Sequence, residues 1–191
     1  DTGQAIIIEP AAREPSRHIL DFRDSCLRAG LEILTPCSHQ ESCPAFEDES
    51  EWCHDTWAFH RPEFMEDVDR IVGTRRETLK ATWFVFGRHA RIQSGDHQIA
   101  RIVSERFQEK GRTHTKLCTP EGFLTLELQK RDMTDQNRDF AASERFDLIR
   151  YAGLTQVGRR HRLPKEGFCE RVDEGGLLNG LSEGPDPEES S

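Results

Sequence analysis

The chain has 191 residues and a mass of 22.0 kDa, enough for one domain or two small ones with a real core. Hydrophobic residues make up 35% and charged residues 32%, with a mean hydropathy of −0.73, a polar but globular composition that excludes a wholly disordered chain. The net charge of −9 argues against coating nucleic acid by bulk electrostatics, and no apolar run approaches the roughly 20 residues of a membrane span.

The charge is unevenly spread. Residues 1–69 carry 5 Lys/Arg and 16 Asp/Glu, residues 70–131 carry 13 and 6, and residues 132–191 carry 8 and 13. A basic middle of balance +7 therefore lies between acidic flanks, and it reads either as an anion-binding face or as a solvated strand surface. Nothing at the N-terminus reads as a signal or transit peptide. Beginning at Asp1 and entering a strand almost at once, the sequence reads as a piece of something longer.

Ala5-Ile6-Ile7-Ile8-Glu9-Pro10 is an apolar run stopped by proline, which predicts a buried strand. Ser16 is placed to cap a helix whose Ile19, Leu20, Cys26 and Leu27 share one face, with Gly30 as its stop. Leu31 to Leu34 follows as a short strand with Leu31 and Ile33 on one side. Strand, helix, strand is the rhythm of a parallel α/β sheet. Residues 35–61 then show no period of either kind, and a stretch that long is generally functional.

Pro62 suits the first turn of a helix carrying Phe64, Met65, Val68, Ile71 and Val72 at helical spacing. Trp83-Phe84-Val85-Phe86 is a buried strand closed by Gly87, its aromatics read as core rather than as a base-stacking platform. Strands are expected over Ile99–Phe107, Thr113–Cys118 and Phe123–Leu128, the last two joined by a tight Pro120-Glu121-Gly122 turn as a hairpin. Residues 135–146 suit a short helix, and Leu148–Tyr151 and Val157–Leu163 suit further strands, a pattern compatible with a small, partly closed OB-like barrel. The chain thus divides into an α/β part at 1–95, a β-rich part at 96–172 and a Gly-, Ser- and acid-rich tail at 173–191 expected to be disordered.

Six cysteines are present, and three of them, Cys37, Cys43 and Cys53, fall within 17 residues of the aperiodic stretch. With Cys118 they make four soft ligands, suited to tetrahedral zinc or an iron–sulfur cluster. The wide, irregular gaps depart from the tight C-x2-4-C knuckles of structural zinc and favour a loop around a bulkier cluster. His39 and His54 are alternative donors, read first as surface or supporting histidines. Cys26 reads as a buried helix-face residue and Cys169 as a free thiol near the tail.

Pro36-Cys37-Ser38-His39, Cys43-Pro44, Trp52-Cys53-His54 and Leu117-Cys118-Thr119-Pro120-Glu121-Gly122 resemble the cysteine signature of the methyltransferase-like small-ribosomal-subunit assembly factors, a family of mitochondria with bacterial relatives. The resemblance spans about residues 5–130. It departs at Ser38, where proline is usual, and at Asp55, where an aromatic is common. It implies a [4Fe–4S] cluster on Cys37, Cys43, Cys53 and Cys118, with zinc the alternative from spacing. It also implies the C-terminal half of a Rossmann-like class I methyltransferase sheet, with Ala5–Pro10 as a late strand whose edge is left unpaired. S-adenosylmethionine would belong only with a preceding glycine-rich half, so neither catalytic residues nor enzyme status follow from this chain.

The implied role is small-subunit assembly through ribosomal RNA and its proteins, away from membranes, in a bacterial cytoplasm or, alternatively, the mitochondrial matrix. Arg101, Arg106, Lys110, Arg112 and Lys116 are the candidate phosphate contacts. An active S-adenosylmethionine-dependent RNA methyltransferase and a zinc-stabilised module without an RNA role are the competing readings.

Overall fold

The computed structural model describes residues 3–74, 77–88 and 98–173. The expected tail, from 174 on, and the boundary at 95 lie outside the described residues. In chain order the elements are β1 (Ala5–Pro10), α1 (Arg13–Arg28), β2 (Glu32–Thr35), a 3-10 turn (Pro44–Phe46), β3 (Asp55–Ala58), α2 (Glu63–Val72), β4 (Thr78–Gly87), β5 (Gln98–Ile102), β6 (Phe107–Glu109), β7 (Arg112–Thr119) and β8 (Gly122–Gln129). A second 3-10 turn (Lys130–Asp132), α3 (Arg138–Ala142), β9 (Leu148–Ala152), β10 (Thr155–Val157), β11 (Arg160–Arg162) and β12 (Phe168–Val172) complete them. None of the described helices is long and apolar enough to cross a membrane.

Two sheets divide these strands. The first has order β1–β4–β2, with β3 also on β4, and every ladder in it is antiparallel. The first two strands do run in the same direction, as the strand–helix–strand rhythm predicts. They are not neighbours, however, because β4 is inserted between them. The sequence period cannot reveal that insertion, since β4 arrives some 45 residues after β2. Phe84 and Phe86, each 1% exposed, make β4 the spine of this core, with Ile33, Ile19 and Leu20 packed on them.

β1 is not the buried strand expected: only Ile7 is even half-buried, and its other residues are exposed. Pairing with Phe84 puts Ile7 on the side covered by α1, while Ile6 and Ile8 are 66% and 65% exposed on the other. Helix α1 begins three residues ahead of Ser16, because Pro15 sits in the first turn, where no backbone donor is needed. Ser16 is instead fully buried and its hydroxyl accepts a hydrogen bond from Thr82 Oγ1 at 2.8 Å. Gly87 is small for a reason: a Cβ there would meet Leu34 Cδ1 at 2.9 Å.

The second sheet has eight strands, in the order β10–β11–β8–β7–β5–β9–β12 with β6 paired to β7. The predicted β7–β8 hairpin forms with Thr119 opposite Gly122, whose φ of 128° needs a glycine. Its core holds Ile102, Leu117, Leu126, Leu128, Ile149, Tyr151 and Leu163, with Phe140 of α3 closing one side. Four short strands escape the sequence pattern: β3 within the aperiodic stretch, β12 beyond β11, and β6 and β10, because the strand expected over Ile99–Phe107 ends at Ile102 and that over Val157–Leu163 is confined to β11 after a turn from β10. Cys169 is a free thiol, as expected, and through β12 it is also a core residue, 2% exposed.

Candidate metal centre

Cys37 follows β2 by two residues, Cys43 precedes the Pro44–Phe46 turn, and Cys53 precedes β3 by two residues. Cys118 comes from β7 of the other sheet. All four line one enclosed cavity, together with Leu20, Arg23, His39, Trp52, Phe84 and Phe123. None of the four is in a disulfide. Cys26 and Cys169, both buried, lie elsewhere in the two cores.

The thiols are close enough to feel one another electrostatically. Burial, and then the neighbouring Cys37, pushes the Cys43 thiol up to about 12. Burial, then Cys37 and Cys43, holds Cys53 above the usual thiol range, and burial, then the other three cysteines, does the same for Cys118. Cys43, Cys53 and Cys118, which burial holds protonated, are with Cys37 a donor set that a soft cation relieves, because a coordinated thiol gives up its proton.

Fit can be tested on shape as well as chemistry. Among the described residues no three Cys, His, Asp or Glu side chains close on a single ion-sized position. The sulfurs stand around a void of about 30 Å³, near one water's share of the liquid. By type, four thiols are the donors of tetrahedral zinc and of an iron–sulfur cluster alike.

Supporting residues hold that loop. Arg23 is fully buried; its Nε donates to Cys37 Sγ at 3.4 Å, and its other nitrogens donate to the carbonyls of Glu41 and His39 at 2.9 and 3.3 Å and to the Asp24 carboxylate. Burial opposes its charge, but the two nearby thiols and Asp24 outweigh that and hold the guanidinium above its ordinary range. Asp24 accepts from Ser42 Oγ at 2.8 Å and from the Cys43 amide at 3.3 Å. Arg17 donates to the carbonyls of Ala45, Asp48 and Glu51, tying the same loop to α1. None of the three was predicted as a site residue. The signal available is their place on α1: Arg23 lies four residues from Ile19 and three from Leu20, a charge on the buried stripe.

The two histidines separate. His39 Nε2 sits 3.4 Å from Cys118 Sγ, and its Nδ1 is buried with no hydrogen-bond partner among the described residues. Burial, and then Arg23, lowers its imidazole to about 4, so it is neutral at ordinary pH. His54 turns away: Arg145 donates to its carbonyl at 3.0 Å, and its ring stacks on Trp52.

The candidate phosphate contacts scatter. Arg101 is 4% exposed and spends its guanidinium on the carbonyls of Pro36 and Phe146, so it is a bracket between the sheets and is unavailable to phosphate. Arg106 donates to the carbonyls of Ala141 and Ser143. Lys116 pairs with Glu51 and lies over the Phe123 ring, bridging β7 to the cysteine loop. Arg112 pairs with Glu109 and Glu127, and Lys110 is exposed at the β6–β7 turn.

Among curated proteins none matches the chain. The sequence profile of the family described as mitochondrial small ribosomal subunit Rsm22 matches residues 2–143, a stretch that holds all four cavity cysteines, the first sheet and four of the eight strands of the second. A match over well more than half its length establishes that this chain belongs to the mitochondrial small ribosomal subunit Rsm22 family.

Proposed function

We propose that this chain acts in assembly of the small ribosomal subunit as a cluster-stapled, RNA-contacting unit, its [4Fe–4S] cluster held by Cys37, Cys43, Cys53 and Cys118. The observation that carries the reading is the cavity itself: three thiols come from a loop on the first sheet and the fourth from a strand of the second. When bound, the cluster supplies a covalent cross-link and folding energy rather than a reaction. Arg101 to Pro36 O at 2.7 Å, Ser38 Oγ to Cys118 O at 3.4 Å and the Lys116–Glu51 pair cross the same joint, so the protein is already built to keep the two sheets in register there.

The half-methyltransferase sheet belongs to the same proposal. Two like-directed strands joined by a helix, an antiparallel strand inserted between them, and a β1 edge paired only with β4 among the described strands are what the carboxyl half of a doubly wound sheet needs. Membership in a mitochondrial ribosomal family favours the matrix over a bacterial cytoplasm as the place of action.

Single substitutions test the ligand set. Cys37→Ser, Cys43→Ser, Cys53→Ser and Cys118→Ser, purified without oxygen, are each expected to lose visible absorbance and most bound metal. Cys26→Ser and Cys169→Ser should retain both. Metal kept by any of the first four, or lost equally by the last two, contradicts the assignment.

A further inference from the structure

The outer face of β6–β7–β8–β11 carries residues that the cysteine site does not use. Strand register puts Phe107 opposite His114, His114 opposite Glu127, and Glu127 beside Arg162, all on one side of the sheet. Phe107 is 51% exposed, and its ring stacks on His114 at 5.3 Å with the planes 21° apart. Beside this stack, Arg112, Arg160 and Arg162 converge on the single carboxylate of Glu127, at 3.1, 3.5 and 3.6 Å.

Arg112 spends its guanidinium on two carboxylates, the exposed Glu109 and the buried Glu127, so the charge left over sits on Arg160 and Arg162. The Glu127 side chain is 7% exposed, whereas those of Arg160 and Arg162 are 45% and 29% exposed, so these two cations meet solvent more than the carboxylate they share. Burial opposes ionisation of Glu127, but Gln129, Arg112 and Arg162 outweigh it and hold the carboxyl below its usual range, so it stays charged and keeps the arginines gathered. The Arg162 Nε has no hydrogen-bond partner among the described residues. In a chain of net charge −9, this local excess beside an exposed aromatic is a selective feature.

We propose that this face binds single-stranded RNA, one base stacking on Phe107 and the flanking phosphates taken by Arg160 and Arg162. Sheet faces that pair aromatic rings with cations suit unpaired nucleotides, whose bases are free to stack and whose backbone is dense in charge. The inference rests on the reading that the chain works through ribosomal RNA, and it moves the contact away from Arg101 and Arg106. On β7 the same face ends at Cys118, so RNA and cluster would share one strand six residues apart.

The test is fluorescence anisotropy of the full chain with a labelled, mixed-sequence single-stranded RNA of about 12 nucleotides, measured across salt. Phe107→Ala should weaken binding by roughly tenfold, the scale of one lost base stack. R160Q/R162Q should lower the salt slope by about 1.4, the counterion release of two phosphates on a single strand. Glu109→Gln should tighten binding, because it removes an exposed opposing charge and leaves the Glu127 anchor in place. Phe107 is largely exposed, so its variant carries the test should the arginine pair unfold.

Unchanged affinity in Phe107→Ala together with an unchanged slope in R160Q/R162Q overturns this surface, while RNA binding by the wild-type chain leaves the assembly reading standing. A wild-type chain that binds neither this RNA nor a duplex fragment of small-subunit RNA overturns both. Competition by a polyglutamate peptide as effective as that by unlabelled RNA shows mere charge attraction and also overturns the proposal.

Discussion

Arg23 concentrates the energetics of the cysteine loop in one side chain. It is fully buried, and it satisfies two loop carbonyls, one ligand sulfur and the Asp24 carboxylate. Replacing it with methionine keeps much of the volume but strands those acceptors and leaves Asp24 buried without its counter-charge. Breaking a buried pair in this way costs roughly 3 kcal/mol. Arg23→Met should therefore lower the unfolding free energy by that amount, with an earlier denaturation midpoint, and speed metal loss, and Arg23→Lys should recover only part, since an ammonium cannot reproduce the fork. A wild-type midpoint for Arg23→Met would show that the loop is held by other means. The cysteines were legible as a site because residue type and immediate neighbours carry the information. Arg17, Arg23 and Asp24 were not, because their role depends on which face of α1 the loop folds over.

The elements differ in how far local pattern fixes their surroundings. The strict alternation of Phe123 to Leu128 foretold β8, because one side of the strand packs a core and the other does not. The equally regular spacing of α2 foretold the helix but not its environment. Phe64, Val68, Ile71 and Val72 are 68%, 51%, 84% and 61% exposed, and Asp69 is the buried residue, held by Arg61 and Thr74. Helical periodicity states that one side is apolar; it does not state that anything covers it. Substituting Phe64 and Ile71 by serine should thus change stability by no more than about 0.5 kcal/mol each in a chemical melt, and a loss several times larger would mean that α2 is packed in solution. β3 and β12 were missed for a simpler reason: Asp55-Thr56-Trp57-Ala58 and Phe168-Cys169-Glu170-Arg171-Val172 show neither an apolar run nor strict alternation.

At the scale of the molecule, two hydrophobic cores meet at the cysteine cavity, where Phe123 of the second sheet packs against the first core. The charge asymmetry read from the sequence survives as surface chemistry only in part, since Arg101, Arg106 and Lys116 of the basic middle are spent on internal partners. What composition could not reveal is that arginines 160 and 162, from the acidic C-terminal third, join Arg112 in space. The central claim is that four thiols from both sheets hold one polynuclear group. Its most direct test is metal and acid-labile sulfide analysis of the full chain purified under strict anaerobiosis. The account predicts about four iron and about four sulfide per chain; one zinc per chain with no sulfide would contradict it.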